Sequence, residues 1–66
     1  MNIVLNGEQE QIDETTSVAD LIIHMGLTGK RIAVEINLEI IPASEHKTHT
    51  LKEADQVEVV AAIGGG

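Results

Sequence analysis

Apolar residues recur along this chain with a spacing that changes from segment to segment, and each change marks an element. Asn2 to Leu5 is a short apolar run that stops at Asn6-Gly7. That dipeptide is favoured at the centre of a type I′ hairpin, so a strand and a tight reversal are expected. Glu8 to Ile12 alternates weakly, and its charges suit the exposed edge of a sheet. After a polar connection at 13–16, Ser17 opens a helix. Asp20, three residues on, completes a capping-box pattern, and Val18, Leu21, Ile22 and Met25 fall at i, i+3, i+4 and i+7 on one face. Gly26 suits the C′ position, with Leu27 folding back over the last turn. A helix of about two turns depends on packing to persist.

Ile32 to Ile36 alternates cleanly and reads as a strand with one buried face. Asn37-Leu38 stands where a second hairpin turn belongs, but leucine is a poor residue for positive φ, so a different turn type is expected. Glu39 to Ile41 is a short partner strand ended by Pro42. Residues 43–50 are polar and irregular, with room for one helical turn, and 51–56 lead into the last strand. Val57 to Ile63 is apolar at nearly every position, as in a strand central to its sheet. The order is strand, strand, helix, strand, strand, strand, and the last strand can return to the middle beside the first. A right-handed crossover then yields an α+β fold, a mixed sheet of four to five strands wrapped around one helix. This is the ubiquitin-like β-grasp arrangement, with the domain over 1–62 and a tail over 63–66.

One short helix covers one face of a sheet, yet the first and last strands carry aliphatic residues at consecutive positions. Ile3, Leu5, Val57 and Val59 are expected to point inward against Val18, Leu21, Ile22 and Met25. Val4, Val60 and Ala62 then point outward, and Ile63 leads the tail away. An uncovered aliphatic patch of Val4, Val60, Ala62 and Ile63 next to the tail is a candidate docking surface.

Composition narrows the function. The chain has 66 residues, no cysteine and no aromatic residue, so a small aliphatic core must suffice without disulfides or thiolate metal sites. A net charge of −7 argues against nucleic acid and anionic membranes and favours a partner with a positive docking site. The first apolar run is too short for a signal peptide, and a cytoplasmic location is expected. His46 and His49, three apart with Glu45 adjacent, lack a further ligand at a suitable spacing, so His24, His46 and His49 read as solvated side chains and no metal is expected. Lys30 and Arg31 read as a solvated turn, with partner contact as the second reading. The acidic residues form no obvious acid/base dyad, and Ser17 serves as a cap; no catalytic constellation is present.

Gly64, Gly65 and Gly66 follow the apolar run with no helix after them, which excludes a phosphate-cradling turn. Glycine provides a thin strip of backbone without side chains, ending here in an α-carboxylate that suits a narrow cleft on another protein. Read without the rest of the chain, the same residues fit a frayed end.

Four segments carry a family resemblance: Ile3-Val4-Leu5-Asn6-Gly7-Glu8, Ser17-Val18-Ala19-Asp20-Leu21, the run from Val34 to Pro42 containing Glu39-Ile40-Ile41-Pro42, and the close from Ala54 to Gly66. Together they resemble the ThiS family, the small sulfur carriers of thiamin biosynthesis. Leu38 and Ala54 depart from the family's usual glycines, and Ala43 from its usual basic residue after the proline. The resemblance implies that the chain is a protein co-substrate and not an enzyme. A ThiF-type adenylyltransferase, using ATP and magnesium, would adenylate the Gly66 carboxylate, with Gly64 and Gly65 threading the partner's active site. A persulfide-bearing enzyme would supply sulfur, and a ThiG-type thiazole synthase would accept it from the thiocarboxylate. No tightly bound cofactor is implied for the carrier. The residues leave open the same chemistry for another acceptor (molybdopterin, tRNA or an amino acid), an interaction module with an inert tail, and a modifier joined to lysines.

Overall fold

The computed structural model describes residues 1–61. Its strands are β1 (Asn2–Leu5), β2 (Glu8–Gln11), β3 (Ile32–Ile36), β4 (Glu39–Ile41) and β5 (Gln56–Ala61), with one helix, α1 (Val18–His24), and a 3-10 turn at Ala43–Glu45. The five strands form one mixed sheet in the order β2-β1-β5-β3-β4. β5 lies in the middle, parallel to β1 and antiparallel to β3, as the apolar run of the last strand requires. The expected β-grasp architecture is the observed one. The boundary expected between 62 and 63, and the tail beyond it, fall outside the described residues.

The ends of α1 explain how seven residues remain helical. The Ser17 side chain accepts from the Asp20 N–H and the Asp20 carboxylate from the Ser17 N–H, both at 3.1 Å, completing the capping box. Two more N–H groups of the first turn go outside the helix: Val18 donates to the His49 carbonyl (2.9 Å) and Ala19 to the His46 carbonyl (2.8 Å). The irregular segment after the 3-10 turn is therefore part of the helix cap. At the other end Gly26, at φ +73°, donates to Ile23 (3.0 Å) and Leu27 to Ile22 (3.1 Å). This is the Schellman arrangement that the Gly-Leu pair indicates.

The core consists of Ile3, Val18, Leu21, Ile22, Val34, Ile36, Ile41, Leu51, Val57 and Val59, with Leu5 and Met25 half-buried against it. All eight residues assigned inward from the pattern are in or against this core. Leu51 was not among them. Its flanks are polar, and backbone pairing of its segment with the start of the helix, the Leu51 N–H donating to the Thr16 carbonyl (2.9 Å) beside the Ser17–Thr50 bridge, brings it into the core.

Two expectations need correcting. Asn37 and Leu38 both have positive φ, +51° and +71°, like Asn6 and Gly7 at +49° and +84°. A two-residue reversal between right-twisted strands demands this backbone whatever residues occupy it. Leu38 tolerates it with its side chain 86% exposed, at a conformational cost of about 1–2 kcal/mol. Asn37 holds the turn in place: its Nδ2 donates to Asp55 Oδ1 (3.0 Å) and its Oδ1 accepts from the Gln56 N–H (3.0 Å). Ala54 also sits in the left-handed region, at φ +68°, so both departures from the family's glycine occupy backbone where glycine is unstrained. The second correction is His46, which is buried rather than solvated and has Nε2 3.1 Å from the Ile41 carbonyl. A carbonyl can only accept, so Nε2 carries the donated proton.

Candidate functional site at the end of the central strand

The parallel ladder between β1 and β5 is short, pairing Val4 with Gln56 and Leu5 with Val57. Where β1 turns away, Asn6 continues the pairing. Its backbone N–H donates to the Val57 carbonyl (2.8 Å); its side-chain Oδ1 accepts from the Val59 N–H (2.9 Å), and Nδ2 donates to the Val59 carbonyl (3.3 Å). One amide side chain thus replaces the next residue of a strand. The same asparagine supplies the positive φ of the hairpin, so turn chemistry and strand anchoring meet in one position. Past Val59 the described part of β5 pairs only with β3, Val60 opposite Ala33 and Ala61 opposite Ile32.

Alternation along β5 turns Val57 and Val59 inward and Gln56, Glu58 and Val60 outward. Val60 is 63% exposed and shares a shallow hollow with Arg31, Ile32 and Ala33. Val4 faces the same side and is half-buried, but the register sets it beside Gln56, four residues and roughly 13 Å before Val60. Glu58 lies between them, so Val4 and Val60 are not neighbours. Ala62, Ile63, Gly64, Gly65 and Gly66 lie outside the described residues. Glu58 is directly opposite Glu35 on β3, and Glu35 is in turn opposite Ile40, which is 74% exposed. Like charges facing each other across strands destabilise a sheet, so the free protein gains nothing from this pair. Pattern reading missed Glu35, Glu58 and Ile40: alternation shows which way each points, but only the register puts them side by side.

Because Val60 is already largely in solvent, Val60→Asp is expected to lose no more than about 1 kcal/mol of stability, the difference in strand preference between the two residues. A urea melt of the variant checks this; a larger loss would mean that Val60 is packed.

Among the described residues no three histidine or acidic side chains gather in a way that could hold a metal ion. No helix of the described residues is long and apolar enough to cross a membrane.

A five-stranded mixed sheet around one short helix, with the first and last strands paired in parallel at its centre, defines a ubiquitin-like β-grasp protein. The model of the ThiS family matches residues 3–66, and the chain belongs to that family. A crystal structure of a thiamine biosynthesis protein (ThiS) from Geobacter metallireducens superposes with a TM-score of 0.82 at 29% identity, covering all of both chains. Among sequences, the chain is 38% identical over its full length to a thiazole synthase of Paramagnetospirillum magneticum and 36% identical to one of Magnetococcus marinus. It spans only 20% of the length of each of these. It is also 30% identical to the uncharacterized protein ycf40 of Porphyra purpurea, covering 93% of that protein.

Proposed function

We propose that the chain is a sulfur carrier of thiamin biosynthesis, loaded at the carboxylate of Gly66 and unloaded by a thiazole synthase. The observation that carries this reading is the family match, which extends through the terminal glycines to residue 66. The thiazole synthases, in which a fifth of the length aligns with this whole chain at 38% and 36% identity, support thiazole as the destination of the sulfur.

The chemistry follows from what a carboxylate lacks. It is a poor electrophile, so a partner enzyme must first convert it. A Gly66 carboxylate oxygen attacks the α-phosphorus of ATP, pyrophosphate leaves, and an acyl adenylate remains. The terminal sulfur of a persulfide then attacks the carbonyl and AMP leaves. A second thiol cleaves the resulting S–S bond, forming a disulfide with the donor and freeing the thiocarboxylate. With no Cβ at Gly65 or Gly66, the carbonyl is open to each nucleophile. The carrier provides the handle; ATP, magnesium and the stabilisation of charge belong to the partner.

The test is intact mass after incubation with the activating enzyme, ATP, magnesium and a persulfide donor. A gain equal to one oxygen exchanged for sulfur is expected, and its absence when Gly66 is deleted. An unchanged mass with an activating enzyme active on its own carrier would favour an inert interaction module, and a ladder of lysine adducts would favour a modifier. Val60→Asp, folded as argued above, is expected to weaken binding to the activating enzyme, because the substitution adds a desolvation cost to the interface.

A further inference from the structure

The four basic residues of the chain are not spread evenly. Lys30, Arg31 and Lys47 border one groove, formed where α1, the loop leading into β3 and the 3-10 turn meet. The chain carries a net charge of −7 with these three included, hence −10 without them, so three cations on one groove stand against an otherwise acidic surface. Ile23, Leu27 and Ile32 provide an aliphatic floor in a space of about 650 Å³. Ile23 is 62% exposed although its neighbour Ile22 is in the core. An isoleucine left in water on a helix of seven residues contributes little to folding.

The groove also lies near the last described residues of β5. Ile32, in its floor, pairs with Ala61, the last described residue of β5, and Arg31 borders both the groove and the hollow that contains Val60. A continuous surface therefore leads from the groove around the sheet edge to the end of β5.

We propose that this groove is a second docking site, which binds an acidic amphipathic segment of a partner protein. Its aliphatic side chains would cover Ile23, Leu27 and Ile32 while its carboxylates meet Lys30, Arg31 and Lys47. The choice of a protein segment rests on charge complementarity with an apolar floor. Nucleic acid would meet a net negative chain with no aromatic residue on which to stack a base. That the partner is one of the two enzymes acting on residues 64–66 rests on the function proposed above. The open sheet face, with Glu35 and Glu58, carries the opposite charge.

The experiment titrates the ¹⁵N-labelled full chain with the activating enzyme and, separately, with the thiazole synthase, following amide shifts and affinity at low and raised salt. The wild type is compared with the Lys30→Glu, Lys47→Glu double variant and with Ile23→Asp, the dispersed signals of Val34 and Ile36 serving as the check of folding. With one of the enzymes, shifts are expected at Ile23, Leu27, Lys30 and Lys47, with affinity reduced about tenfold in the double variant and falling as salt rises. Unchanged affinity of both folded variants for both enzymes overturns the proposal, as does failure of both enzymes to bind. A dimer seen by sedimentation without enzyme and lost in the double variant would make a second copy the occupant, and also overturns it. Normal sulfur loading with no effect of the variants on binding sinks the groove alone. Groove-dependent binding without any mass gain sinks the carrier chemistry alone.

Discussion

Leu21→Ala is expected to leave the chain mostly unfolded at 37 °C. Leu21 is 2% exposed and lies on the inner face of α1 among Ile3, Val57 and the other core residues. Removing a buried leucine side chain costs about 3–5 kcal/mol, the lost transfer energy plus the cavity left behind. A domain of this size draws only about 3–5 kcal/mol of net stability from its core, so the two quantities meet. No disulfide compensates, since the chain has no cysteine, and no aromatic residue can swing in to fill the space. Collapse of the helix onto the gap is also restricted, because both of its ends are tied by the capping box and the Schellman bonds. Circular dichroism through a urea titration checks the expectation. Leu21→Met, nearly equal in volume, should lose less than about 1.5 kcal/mol. A well-folded Leu21→Ala variant would show that the helix contributes less to the core than its burial indicates.

Asn6→Ala should cost about 2–3 kcal/mol, a large effect for an exposed turn residue. Two separate roles end together. Alanine is strained by about 1 kcal/mol or more at the φ of +49° that asparagine accepts. The two side-chain bonds to Val59 are also lost, at about 1 kcal/mol each. Asn6→Gly separates the roles, since glycine accepts the backbone and removes only the side-chain bonds. Both variants are expected to speed amide hydrogen exchange at Val59, where β5 passes beyond β1, while Val34 in the adjacent strand remains protected. If Val59 stays as protected in Asn6→Gly as in the wild type, the asparagine does not hold the end of β5. In the sulfur-carrier reading such fraying lies in the strand that leads to Gly66, so the Asn6→Gly protein should load more slowly at equal folded concentration.

Which parts of this molecule were legible beforehand follows from the range of the interactions concerned. Ser17 with Asp20, Gly26 with Leu27, and Asn6-Gly7 act within a turn or two of backbone, and each did what its local chemistry indicates. The period of the aliphatic residues likewise set the inner faces of α1, β1 and β5. Local chemistry failed at Leu38, because the demand for positive φ comes from the twist of the two strands it joins and overrides the residue's own preference. It failed again at His46 and Leu51, whose polar neighbours conceal that the segment after the 3-10 turn folds back to cap α1.

For the candidate site, the chain's own order of residues was enough to turn Val60 outward on the last strand. Periodicity and backbone chemistry are properties of consecutive residues, and they survive being read one residue at a time. The tertiary structure alone decided that Glu35 faces Glu58, that Asn6 grips Val59 across 53 positions of chain, and that Lys30, Arg31 and Lys47 border one groove. Those are matters of register and of which loops meet. They arise from the packing of distant segments on a common core, where each residue's neighbours are set by the whole fold.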